Sequence, residues 1–181
     1  MMKKFFVFIW EIIKIVVISL AIIIPVRYYL IQPFFVRGAS MQPNFHNGEY
    51  LVVDEISYRF EDPQRGQPIV FKYPKDPSQY YIKRIIGLPG ETVEIKDKRV
   101  IIYNKQFPQG IVLDESAYLR NGQTTWGNVK MTLGPDEYFV LGDNRGASSD
   151  SRQRGSVPEK YIIGRVWIRA WPFNKAEIFS Y

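Results

Sequence analysis

A chain of 181 residues with 46% hydrophobic, 15% aromatic and 23% charged side chains has room for one ordinary domain and a small appendage. It has no cysteine, which excludes disulfides, cysteine nucleophiles and thiolate metal sites, and one histidine, which excludes a site of several histidine ligands. The net charge is +6, but residues 1–31 set four cations against Glu11 and so hold half of it, and the remainder lacks the dense basic stripe of a nucleic-acid surface.

Residues 5–31 are apolar almost throughout. The uncharged run Ile15–Val26 is 12 residues long, about 18 Å of helix against a hydrocarbon core of about 30 Å. Trp10 and Tyr28 mark a better span, about 27 Å between two interfacial belts. Lys14 then snorkels back toward Lys3 and Lys4 and pairs at i, i+3 with Glu11, and Pro25 is tolerated near the far end. A cleaved export signal would want small residues where Val26-Arg27-Tyr28-Tyr29 stands, and a core helix would be amphipathic. The expectation is an uncleaved single-span anchor over 1–31, Lys-rich end cytoplasmic, with residues 32–181 outside.

Beyond the anchor, short apolar runs alternate with turn residues. Strands are expected at Phe34–Arg37, Tyr50–Asp54, Pro68–Tyr73, Tyr80–Gly87, Thr92–Lys96, Arg99–Tyr103, Tyr138–Leu141 and Ile163–Ala170. Asn47-Gly48, Arg65-Gly66, Pro74, Leu88-Pro89-Gly90, Asp97-Lys98, Gly134-Pro135-Asp136 and Gly142-Asp143-Asn144 punctuate them. This is a mainly β domain, with a hairpin at Thr92–Tyr103. Pro158–Ile163 is the one further stretch compatible with helix, and residues 104–133, rich in Gly, Asn, Gln and Thr, read as an irregular excursion.

His46 could complete a Ser-His-Asp triad, although Asn44-Phe45-His46-Asn47-Gly48 reads as a turn beside a strand. The other base able to activate a serine is a lysine with a depressed pKa. Alternation along Tyr80–Ile86 sets Lys83 on one face with Tyr81 and Ile85, while Arg84 points away with Tyr80, Ile82 and Ile86. Lys83 is then either a desolvated neutral amine or a lysine lying over apolar surface with its ammonium in water. Ser40 sits in Arg37-Gly38-Ala39-Ser40-Met41-Gln42-Pro43, where small residues allow close approach of a backbone and Pro43 stiffens the turn. The Ser40 N–H is a candidate oxyanion donor. Alone, this is a serine in a tight turn.

Together the segments resemble the signal peptidase I family. Ser40-Met41-Gln42-Pro43 resembles its nucleophile box, and Lys83-Arg84-Ile85-Ile86-Gly87-Leu88-Pro89-Gly90-Glu91 its lysine box. Gly142-Asp143-Asn144-Arg145, with Ser148, Asp150, Ser151 and Arg152, resembles its Gly-Asp-Asn box, and Gly66–Phe71 an intervening strand motif. The resemblance implies a β-sheet catalytic core of the signal-peptidase/LexA-like kind, with a smaller β region inserted at about residues 92–137. It implies a dyad of Ser40 and Lys83 that cleaves signal peptides from exported preproteins after Ala-x-Ala, at the outer face of a prokaryotic plasma membrane. Ser148 would orient the lysine. Arg84, Asp143, Asp150 and Arg152 would brace the site, and Phe34, Val36, Met41, Phe45, Tyr81 and Ile82 would line pockets for small residues. No cofactor or metal is expected, the bilayer is a partner, and a monomer is expected.

Gly38 stands where some members add a serine hydroxyl to the oxyanion hole, and Asn44-Phe45 replaces the usual Thr-Leu. Trp167, Trp171 and Phe173, with Phe34 and Phe35, are either ordinary core or a surface that dips into the membrane interface. The rival readings are a LexA-type self-cleaving protein, which would carry a DNA-binding helix-turn-helix in place of the anchor, and a catalytically silent membrane-tethered β-domain.

Overall fold

The computed structural model describes residues 2–29, 31–120 and 122–180. Side chains at 2, 3, 25–29 and 31 lie outside the description, and with them the expectations for Lys3, Pro25, Arg27 and Tyr28. Helix α1 (Met2–Tyr29) contains a stretch, Lys4–Ile24, long and apolar enough to cross a membrane, and none of its side chains is buried in the protein.

The body is mainly β. Strands β1 (Ile31–Phe35), β2 (Tyr50–Asp54), β3 (Pro68–Tyr73) and β4 (Asp76–Gly87) are followed by β5 (Thr92–Lys96), β6 (Arg99–Tyr103), β7 (Ile111–Val112) and β8 (Val129–Thr132). Strand β9 (Glu137–Leu141) leads to the single-turn helix α2 (Ser151–Arg154), then β10 (Val157–Pro158), β11 (Ile162–Trp171) and β12 (Glu177–Ile178). Eight strands form one sheet in the order β1-β2-β11-β3-β4-β9-β10, with β12 on β11, and four form a second, β7-β6-β5-β8.

Six expected strands match in place or to within a residue, and two are displaced. β1 begins at Ile31 rather than Phe34, because an edge strand tolerates Pro33, which pairs opposite Val52. β4 begins at Asp76, since Pro74-Lys75 turns the chain directly from β3. Pro158–Ile163 is not an α-helix. Val157 pairs with Tyr138, one 3-10 turn follows at Glu159–Tyr161, and β11 starts at once. The Asp97-Lys98 turn of the β5–β6 hairpin has φ of 49° and 63°, the primed geometry that matches strand twist.

The two sheets share a core. Val93, Ile95, Val100, Ile102 and Leu133 pack in one cluster with Ile86, Phe139 and Leu141 of β4 and β9. On the opposite face of β9, Tyr138 and Val140 join Ile69, Phe71, Ile85 and Val157. β9 is therefore apolar on both faces and reads as a continuous run. A third cluster, including Met41, Phe45, Leu51 and Val166, lies beneath the β1–β2 connection.

Phe139 is fully buried where the sheets meet. Truncating it leaves a cavity beneath the strands that carry the site, so Phe139→Ala should cost about 3–5 kcal/mol. Urea unfolding of the full chain in micelles reads this directly, and a loss below about 1 kcal/mol would show that the sheets do not depend on a common core.

Candidate active site

Ser40 is presented by the connection between β1 and β2. Met41 and Phe45 are almost wholly buried and pull the turn onto the sheet, while Phe45 N–H donates to the Met41 carbonyl at 2.9 Å. Gly38, at φ +91°, donates its N–H to Asn47 Oδ1 at 3.0 Å. The loop after β9 clamps the turn from the other side. Asn144 N–H donates to the Ser40 carbonyl at 3.0 Å and its Nδ2 to the Ala39 carbonyl at 3.1 Å. A Cβ on Gly142 would stand 2.4 Å from the Ser40 carbonyl oxygen and 2.2 Å from Ser148 Oγ, so only glycine fits.

Lys83 reaches the same point from β4, opposite Ile69 of β3. Its Nζ lies 2.7 Å from Ser40 Oγ and donates to the Ile82 carbonyl at 2.8 Å. The Tyr81 ring centroid is 5.8 Å away, and Lys83 is 5% exposed. Its pKa is lowered from 10.5 to about 8, chiefly by burial and in smaller part by Arg154, against the opposing pull of Asp150 and Asp143. Once the amine is neutral, the 2.7 Å contact lets Ser40 O–H donate to the nitrogen lone pair.

Both carboxylates near Lys83 have guanidinium partners. Arg84 grips Asp143 through Nε at 2.8 Å and Nη2 at 2.6 Å, and Arg152 grips Asp150 at 2.8 and 2.9 Å. Asp150 also accepts from Gly142 N–H at 3.1 Å and closes a capping box with Gln153 at the start of α2. The excursion wraps this loop. Glu115 pairs with the buried Arg145 at 2.5 Å, Thr125 bonds the same guanidinium, and Gln123 Nε2 donates to the Asp143 carbonyl at 2.6 Å. The Tyr118 ring lies 4.4 Å from the Arg84 guanidinium. Asn44 bonds both Asp143 and the Tyr118 carbonyl, rather than closing a local turn.

A cleft of about 380 Å³ opens beside Ser40 and Lys83. Of the expected lining, Phe34, Val36, Tyr81 and Ile82 face it, together with Leu51, Val70 and Tyr80. Met41 and Phe45 do not line it; each is 1% exposed and packs below the turn. Among the described residues Ser148 Oγ has no hydrogen-bond partner although it is buried, and the second Lys83 bond goes to Ile82 instead. His46 lies 3.4 Å from Glu49, and Ser40 Oγ has Lys83 as its partner. Sequence reasoning missed Glu115, Gln123 and Arg154. Only the Asp150-x-x-Gln153 capping box offered a local signal in this region, marking the start of the helix that carries Arg154.

A serine hydroxyl against a buried lysine, beside an apolar cleft in a β-sheet body, defines the serine peptidase class. Residues 9–171 match the family described as "Signal peptidase, peptidase S26", and the chain belongs to that family. Signal peptidase I of Leptolyngbya laminosa is 36% identical over 171 residues, covering 90% of this chain and 80% of its own. That of Bacillus amyloliquefaciens is 34% identical, covering 91% and 86%. A crystal structure of a signal peptidase I from Enterococcus faecalis V583 is 32% identical and covers 59% of this chain and 97% of that one, with a TM-score of 0.47. The chain is accordingly a serine endopeptidase of signal-peptide removal.

A buried amine with a lowered pKa costs stability wherever it must carry a proton. The folded value is about 8 and the unfolded value 10.5, so between them the unfolded chain binds more protons and stability rises with pH, by about 1 kcal/mol per unit. Lys83→Met should therefore be more stable than the parent near pH 7, and its advantage should shrink toward about pH 10. Paired urea titrations at the two pH values check this; a less stable Met variant near neutrality would mean the site does not strain the ammonium.

Proposed function

We propose that Ser40 and Lys83 form the catalytic dyad. Neutral Lys83 takes the Ser40 proton as Oγ attacks the scissile carbonyl carbon, and the Ser40 N–H helps hold the oxyanion. The tetrahedral intermediate collapses to an acyl-enzyme while the lysine ammonium returns the proton to the departing amine. Water then attacks the ester with Lys83 again as base, which releases the signal peptide and restores the serine. Ser148 Oγ, buried and unpartnered, is available to accept a bond from Lys83 and aim its lone pair at Ser40. The Arg84–Asp143 and Arg152–Asp150 pairs hold the loop that presses on the serine turn.

The substrate is an exported preprotein with small residues before the cleaved bond, received between Phe34, Val36, Tyr81 and Ile82 as an Ala-x-Ala segment. Met41 and Phe45 shape the pocket from beneath as core. Residues 1–31 anchor a monomer in a prokaryotic plasma membrane, N-terminus cytoplasmic, and residues 32–181 form the catalytic body, with 92–137 as its smaller region. Exposed Phe35, Trp167, Trp171 and Phe173 favour contact with the bilayer interface.

The observation that carries this reading is the 2.7 Å contact between Ser40 Oγ and a Lys83 that is 5% exposed. The full chain in detergent or lipid should cleave a preprotein after Ala-x-Ala. Ser40→Ala and Lys83→Ala should each lower the rate at least about a thousandfold with unchanged circular dichroism. The parent rate should rise about tenfold per pH unit and level off above about pH 8, as Lys83 becomes neutral. Activity in either variant, or a flat profile on the acid side, would remove the dyad. Orientation has its own check: protease added outside sealed cells should digest the chain beyond Phe35, and full protection would reverse it.

A further inference from the structure

Arg154, the last residue of α2, differs from Arg84, Arg145 and Arg152 near the site. Arg84 and Arg152 are each locked to a carboxylate, and Arg145 to Glu115. Among the described residues, the partners of Arg154 are a hydroxyl and two rings. Its Nε donates to Ser149 Oγ at 2.8 Å, and its Cζ lies 4.7 Å from the Tyr73 centroid and 5.4 Å from that of Tyr81. The rings themselves pack at 5.3 Å. This is an aromatic clamp on an unneutralised cation, with ring faces attracting the guanidinium plane.

Tyr81 connects the clamp to the site. Its ring walls the cleft, and Lys83 Nζ lies 5.8 Å from the same centroid that Arg154 approaches to 5.4 Å. The two cations are thus at most about 11 Å apart, and both lie against the Tyr81 ring. A charge at that distance from a buried amine is screened less than one in open water.

We propose that Arg154 is a positioning residue for the peptidase reaction: clamped over Tyr73 and Tyr81, it fixes the Tyr81 wall of the cleft and uses its charge to keep the Lys83 amine neutral. The proposal rests on the reading of Lys83 as the base. The charged and titratable groups around Lys83 are Tyr80 and Tyr81 of its own strand, Arg37 on the serine side of the cleft, and Asp143, Asp150 and Arg154 from the segment after β9, with Arg84 and Arg152 behind the two carboxylates they pair with. Asp143 and Asp150 favour the ammonium and are each paired, which leaves Arg154 as the cation from that segment acting without a carboxylate of its own. The direction of its effect on Lys83 agrees, because Arg154 lowers the proton affinity of the amine.

The test is the pH dependence of kcat/KM for a preprotein, with the full chain in micelles at low, fixed ionic strength. Arg154→Met should move the acid limb about half a unit to higher pH. That lowers kcat/KM roughly threefold near pH 7 and leaves the alkaline plateau near the parental value. Arg154→Lys keeps the charge and should keep the limb in place. Arg154→Gln serves as a second neutral variant should the Met protein fold poorly. A uniform loss at every pH with an unshifted limb would reduce Arg154 to a packing role and overturn the proposal. So would a limb that moves equally in the Lys variant. If Lys83→Ala retained cleavage, both this proposal and the dyad would fall, whereas an unshifted limb that still depends on Lys83 would remove only this one.

Discussion

Lys83 carries an amine into a place where water is scarce, and the surrounding charges are arranged to tolerate that. A carboxylate free to pair with it would fix it as the ammonium near neutrality. Two carboxylates, Asp143 and Asp150, lie close enough to act on it. Both are consumed: Arg84 takes two bonds to Asp143, and Arg152 takes two to Asp150. The pairs are buried on both sides, so each carboxylate is held by short, directed bonds rather than left to swing toward the amine.

The same loop that sequesters the carboxylates also sets the serine. Gly142 admits the Ser40 carbonyl at a distance no side chain would allow, and Asn144 bonds the carbonyls of Ala39 and Ser40. The excursion then holds the loop from outside through Glu115, Gln123 and Thr125. A segment with little regular structure is therefore tied to the site by some of its shortest polar contacts.

Much of this was legible from residue order. Alternation along β4 separated Lys83 from Arg84, and the two side chains take different partners, Ser40 and Asp143. The hairpin at Thr92–Tyr103 was legible because its pattern and turn are local. Met41 and Phe45 were assigned to the cleft and lie under it, because a turn's neighbours in sequence can face either way and only the sheet beneath decides. The ties from Glu115 to Arg145 and from Asn44 to Asp143 span 30 and 99 residues, and nothing in either local context announces them. Short strands such as β7 and β12 were missed for a related reason, since two residues carry no period.

What joins the fold to the chemistry is the double burial of β9 and the end of β4. Phe139 and Leu141 face the small sheet, while Tyr138 and Val140 face the other core, so β9 is gripped from both sides just before Gly142. Ile85 and Ile86 do the same for β4 just after Lys83. Neither strand can twist or slide without opening one core or the other. The small sheet thus contributes to the site without touching it, by closing the second face of the strands that deliver the lysine and the glycine. A desolvated amine works against folding, and this packing is what keeps it in register with Ser40.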